Sequence, residues 1–180
     1  MKTFLTATSL KKVVLLDYLL ESGAWCSTKE LAKVIGVTDK SILNYLEEFK
    51  QLFKSTDQKI RLFNDHNKNF RIIKEEDFPI YTIYLKFYQA SYNYKLIDFM
   101  YHNPHQRLAD YADSQFTSIS TVFRYAKLLK SYFKRYKIQF LPYKLELKGD
   151  EINIRSFYYY FYWNSTREMR NNWPFNTETF

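Results

Sequence analysis

Ser120, Arg124, Lys127, Ser131 and Arg135 are spaced so that a helix turning about 100° per residue presents them along one outward face, with Val122 at the centre of the opposite, buried arc. Thr121 flanks the row. A guanidinium can bind guanine O6 and N7 together, and an ammonium or a hydroxyl can hold a phosphate oxygen; a helix of this width fits the major groove of B-form DNA. No acid interrupts the row, whereas a face that served only solubility would intersperse acids with bases. Eighty residues earlier, Lys40, Ser41, Asn44 and Tyr45 occupy the first turns of another helix. There Asn suits adenine, Lys suits guanine acceptors or phosphate, and Ser and Tyr suit phosphate. Glu47 and Glu48 follow on that helix and would repel phosphate, so the later helix is expected to dominate affinity.

The elements that position these residues can be read from hydrophobic spacing. Residues 9–22 form an amphipathic helix with Val13, Leu16, Leu19 and Leu20 on one stripe, stopped by Gly23. Ser27-Thr28-Lys29-Glu30 has the spacing of a capping box and opens a second helix that buries Leu31, Ala32 and Ile35 before Gly36 breaks it. Thr38 caps a third, with Ile42, Leu46, Phe49 and Phe53 inward. Two β-rich runs follow, 59–63 and 69–73, joined by the turn-prone residues 64–68. Three helices and then a hairpin is the winged-helix order.

Asp77-Phe78-Pro79 opens a linker helix with an amphipathic stretch over 80–92, and the first pattern then recurs. Residues 31–46 (LAKVIGVTDKSILNYL) align without gaps to 111–126 (YADSQFTSISTVFRYA), matching Ala32 with Ala112, Thr38 with Ser118, Ile42 with Val122 and Leu46 with Ala126. The chain reads as a duplication. Ser118 caps a helix to about Tyr136, with Val122, Ala126, Leu129, Tyr132 and Phe133 inward. Residues 138–141 and 144–147 form the second wing through Pro142. A last helix runs from Glu151 to about Trp163 and is nearly all aromatic over 157–163, so its apolar face needs a cover. Among the wing residues, Arg61, Lys68 and Lys144, with Lys59, Arg71 and Lys148, are placed to grip neighbouring phosphates.

Composition agrees with a polyanionic partner. The 180 residues carry a net charge of +8 and a pI near 9.3, and residues 119–148 hold eight basic side chains against the single acid Glu146. Aromatics at 20% recur at helical spacing with aliphatic partners, which reads as core packing and not as base stacking on single strands. Three glycines and four prolines exclude a glycine-rich phosphate loop. The lone Cys26 can form no internal disulfide, and His102 and His105 read as loop polar groups without the companions of a metal site. No nucleophile or paired-carboxylate motif stands out, so no catalytic residue, metal or cofactor is expected and an enzyme is not. No signal peptide or membrane span is apparent, which points to a cytoplasmic protein.

The segments LAKVIGVTDKSILNYL, FTSISTVFRYAKLL and LELKGDEINIRSFYYYFYW, the last followed by WPF, resemble the Mga-type regulators of Gram-positive bacteria. This is the family of the M protein trans-acting positive regulator, to which the anthrax toxin activator is related. The resemblance spans about residues 9–175. It implies a virulence-type transcription activator with two DNA-binding winged helices, whose recognition helices match residues 38–50 and 118–130. Family members continue into regulatory modules similar to those of the sugar phosphotransferase system, so the chain is expected to be an N-terminal fragment or a short member. Ser114, Gln115 and Thr117 depart from the apolar residues usual before the second recognition helix, leaving Phe116 as the expected anchor of that turn.

The sequence therefore predicts a mainly α protein with small β-hairpins, arranged as tandem winged helix-turn-helix domains. The first domain is expected over 1–76, a linker helix and second domain over 77–150, and the aromatic helix and tail over 151–180. The expected partner is double-stranded DNA of a promoter region, with a homodimer and an RNA polymerase contact left open and no membrane partner. A plasmid replication initiator and a winged-helix protein-interaction module are the alternatives.

Overall fold

The computed structural model describes residues 4–166; the tail with Trp173-Pro174-Phe175 lies outside the described residues. Two compact units emerge. One is Thr6–Ile83, and the other combines Phe4 and Leu5 with the described residues from Tyr84 onward. The fold is mainly helical with small antiparallel sheets, and among the described residues no helix is long and apolar enough to cross a membrane.

In the N-terminal unit, helix α1 (Ala7–Ser22) starts where the Thr6 hydroxyl accepts the Ser9 N–H and ends at Gly23, whose φ of +57° is the left-handed stop expected. Val13, Leu16 and Leu19 are buried as predicted, but Leu20 is half-exposed and Leu15 is fully buried. The reason is that α1 is covered on two sides, by α2 (Thr28–Ile35) and by strand β3 (Asn69–Lys74), which widens its apolar arc. At α2 the Ser27 hydroxyl accepts the Glu30 N–H at 3.2 Å. The Glu30 carboxylate does not close the expected capping box; it accepts the Tyr18 hydroxyl at 2.9 Å instead.

Helix α3 (Asp39–Phe53) buries Ile42, Leu46, Phe49 and Phe53. Strand β2 (Ile60–Asn64) pairs with β3 in antiparallel register, Leu62 opposite Ile72. Asp65 holds the connecting turn by accepting the N–H groups of Asn67 and Asn69 at 2.8 and 2.9 Å. A strand the sequence did not reveal, β1 (Cys26–Ser27), pairs with β3 and completes a sheet of order β1-β3-β2.

Helix α4 (Tyr81–Gln89) begins later than Asp77-Phe78-Pro79; Pro79 lends its carbonyl to the Thr82 N–H at 3.0 Å. The stretch expected over 80–92 breaks at Ala90 and Ser91, and α5 (Tyr92–His102) starts a separate helix. Ser91, almost wholly buried, spends its hydroxyl on the carbonyl of Phe4. Helices α6 (Leu108–Ser114) and α7 (Ile119–Arg135) form the second helix-turn-helix, followed by β4 (Gln139–Leu141) and β5 (Glu146–Lys148) with Phe140 opposite Leu147.

The aromatic helix α8 (Glu151–Thr166) has its cover inside the same unit. Phe157 lies 4.8 Å from Phe133 and 5.9 Å from Tyr132, ring centre to ring centre, and Phe161 lies 4.8 Å from Tyr94 and 5.2 Å from Phe4. Edge-to-face and offset geometries of this kind contribute about 0.5–1.5 kcal/mol per pair beyond area burial.

Candidate nucleic-acid interface

Helix α7 is started by Ser118, whose hydroxyl accepts the Thr121 N–H at 3.2 Å. With Val122, Ala126, Leu129 and Phe133 buried, Ser120, Arg124, Lys127, Ser131 and Arg135 stand exposed as helical phasing predicts. Thr121 is half-buried, and its hydroxyl lies 2.8 Å from that of Ser118, so it serves the cap. The Ser131 hydroxyl donates to the Leu128 carbonyl at 3.1 Å. The Arg124 guanidinium lies 5.5 Å from the ring of Tyr125, which itself stacks on Tyr92 at 4.8 Å and 4°. An aromatic platform thus restrains the arginine while leaving its donors free for an anion. No acid occupies the first turn of α7, so the positive end of the helix dipole faces outward unneutralised.

Helix α3 repeats the frame with different charges. Lys40 and Asn44 are exposed; Ser41 is half-buried with its hydroxyl 3.0 Å from that of Thr38. Tyr45 is half-buried and carries the Lys12 ammonium 5.4 Å from its ring centre. That same Lys12 pairs with Glu48, and Glu47 accepts from the Gln51 amide at 2.8 Å. The acids that count against phosphate binding on α3 are therefore unequal: α1 neutralises Glu48 and leaves Glu47 its charge. At the offset of eighty residues, Glu47 and Glu48 correspond to Lys127 and Leu128.

Arg61 is exposed on β2 with its guanidinium 5.7 Å from the Phe63 ring, and Lys68 sits at the turn into β3 with φ +58°. Lys144 is exposed but does not start a strand; it ends the 3-10 turn Pro142–Lys144, and β5 begins at Glu146. The physical cause is Pro142, which lacks an N–H for the ladder and is buried, so the chain turns around it.

Sequence reasoning missed two features. A cleft of about 390 Å³ between α7 and β4 is lined by Lys130, Lys134, Lys137 and residues 138–141, three ammonium groups and no acid. The i,i+4 spacing of Lys130 and Lys134 was the available signal. The second is a correction: Phe116 does not anchor the turn before α7. Its side chain is 99% exposed, and its backbone has the left-handed φ of +49°. The turn is closed instead by the Thr117 N–H on the Ala112 carbonyl at 3.0 Å, as Val37 closes its counterpart on Ala32 at 3.1 Å. Among the described residues no group of His, Cys, Asp and Glu could hold a metal ion.

Two helix-turn-helix frames, each with a β-hairpin behind a capped and outward-facing helix, define a tandem winged-helix DNA-binding protein. Residues 7–56 match the M protein trans-acting positive regulator (MGA) HTH domain, and residues 76–162 match the Mga helix-turn-helix domain. The chain belongs to the Mga-type regulators, as their N-terminal DNA-binding part. It is 23% identical over 178 residues to a putative trans-acting regulator of Streptococcus pneumoniae, covering 97% of this chain and 34% of that protein. It is 20% identical over 165 residues to the capsule synthesis positive regulator AcpB of Bacillus anthracis, covering 92% and 33%. The chain thus spans about a third of the length of these curated relatives. Among solved structures, ScpB from Mycobacterium tuberculosis aligns over 83% of this chain and 96% of its own with a TM-score of 0.35, a likeness too loose to carry an argument.

Proposed function

We propose that this chain is the DNA-reading part of a transcription activator, with α7 as its leading recognition helix and α3 as a weaker second one. The observation that carries this reading is the outer face of α7: five exposed polar or basic side chains, an aromatic-braced arginine, and no acid. A helix so equipped enters the major groove with phosphate contacts setting register and a few base contacts giving choice. Activation, as opposed to repression, is supported by the description of the Bacillus anthracis relative as a positive regulator. The target is promoter DNA in the cytoplasm, and α3 with the wing residues Arg61, Lys68 and Lys144 supplies further phosphate contacts.

Fluorescence anisotropy with duplex DNA at graded salt tests this directly. Contact with about six phosphates predicts a loss on the order of a thousandfold in affinity between 50 and 200 mM salt. Arg124→Ala with Lys127→Ala should weaken binding severely, and Lys40→Ala should weaken it less. Binding that is absent or insensitive to salt would favour a protein-interaction module; equal effects of the two variants would remove the priority of α7.

A further inference from the structure

Phe116 stands two residues before the cap of α7, with its ring 99% exposed and φ at +49°. The equivalent position of the N-terminal unit is Gly36, at φ +68°, the residue type that adopts this conformation without penalty. For a bulky side chain the left-handed region is a true outlier, and such strain, where a fold retains it, marks functional positions. Folding does not account for the phenylalanine, because the bond that closes the turn, from the Thr117 N–H to the Ala112 carbonyl, has its counterpart in the N-terminal unit from Val37 to Ala32, where a glycine stands in place of the ring. Hydration does not account for it either, since an exposed ring is the unfavourable case. Ile119, in the first turn of α7, is also 47% exposed, so the leading end of the helix presents apolar groups just ahead of Ser120, Arg124 and Lys127.

We infer that Phe116 is a specificity-determining contact that packs on the 5-methyl group of thymine in the major groove. The surroundings select DNA over a protein partner: the helix that follows carries exposed Ser120, Arg124 and Lys127, and no acid in its first turn offsets the positive end of its dipole. In the major groove only thymine offers a methyl group, and phenylalanine is among the side chains that read it. The inference rests on α7 being the helix that enters the groove. It adds the apolar half of the readout to the polar half carried by Arg124 and Lys127.

The probe is a duplex selected from a random pool by the unaltered chain, with its thymines replaced singly by deoxyuridine. One or two replacements should weaken binding about fourfold, equivalent to the ~0.8 kcal/mol of one buried methyl group. Phe116→Ala should be indifferent to the same replacements and should bind the thymine duplex about as well as the unaltered chain binds the uracil one. Phe116→Gly should behave alike while melting no lower than the unaltered chain, which separates loss of contact from loss of fold. If no thymine matters, or if Phe116→Ala and Phe116→Gly keep the discrimination, the inference is overturned while DNA binding stands. If the unaltered chain selects no duplex at any salt concentration, the proposed function itself falls and takes this contact with it.

Discussion

Thr38 and Ser118, eighty residues apart, make the same hydrogen bond: each hydroxyl accepts the backbone N–H three residues on, at 3.3 and 3.2 Å, from Ser41 and Thr121. Each also meets the hydroxyl of that residue, at 3.0 and 2.8 Å. A side-chain cap satisfies one of the orphan donors at a helix start and is worth about 1 kcal/mol. Thr38→Ala and Ser118→Ala should therefore each lower stability by about 1 kcal/mol in denaturant unfolding, whereas Thr38→Ser and Ser118→Thr should hold it within a few tenths. A full-strength alanine variant at either position would show that the cap bond is not made in solution.

Charge separates α3 from α7 more than geometry does. Glu47 occupies on α3 the place that Lys127 holds on α7, and its partner Gln51 leaves its charge in place. Glu47→Lys should raise duplex affinity and steepen the dependence of log affinity on log salt by about one unit, because one more phosphate is neutralised. Glu48→Gln should do less, since Lys12 already balances that acid and would lose its own partner. An unchanged salt slope for Glu47→Lys would mean that α3 stays clear of the DNA backbone.

What the sequence disclosed and what it withheld follow from the range of each signal. The start of α7 was legible because Ser118 and the spacing of Val122, Ala126, Leu129 and Phe133 are local. So were the glycine stops, and the repeat of the helix-turn-helix frame was legible in the shared offset of eighty residues. Strand β1 was not, since two residues show no alternation and are extended only because β3 lies beside them. Leu15 was missed because two neighbours, not one, cover α1. Phe116 misled because an aromatic residue suggests the core, whereas it stands in a left-handed turn with its side chain in water. The cleft of Lys130, Lys134 and Lys137 needed the position of β4, which helical phasing cannot supply.

Phe4 and Leu5 belong to the C-terminal unit. Phe4 is 6% exposed, sits 4.5 Å from Tyr132 and 5.2 Å from Phe161, and its carbonyl receives the Ser91 hydroxyl. Removing a buried phenylalanine costs about 3–5 kcal/mol, so Phe4→Ala should destabilise the C-terminal unit and spare Thr6–Ile83. Hydrogen exchange resolves this by unit: amides of α5, α7 and α8 should lose protection, and amides of α2 and α3 should keep theirs. Equal loss in both units, or none, would contradict the assignment of Phe4 to that core.

Alkaline pH should unfold the C-terminal unit through its tyrosines. Burial pushes the Tyr111 hydroxyl up to about 12. Tyr132, Tyr158 and Tyr162 are raised further, each chiefly by burial, with a hydrogen bond to Tyr136 adding for Tyr132 and one to Asp98 at 2.8 Å adding for Tyr162. In the unfolded chain tyrosine ionises near 10. The folded state therefore holds protons that the unfolded state has released. The stability these groups contribute is complete below about pH 10 and is lost as pH rises from there through the folded values, with Tyr111 reaching its own near 12. Tyrosinate absorbance should consequently rise in a late, cooperative step that coincides with loss of helical circular dichroism. In Tyr162→Phe the hydroxyl that Asp98 binds is gone, and the late step should release about one proton fewer. A smooth titration of all tyrosines with helix content intact would show that these rings are open to solvent.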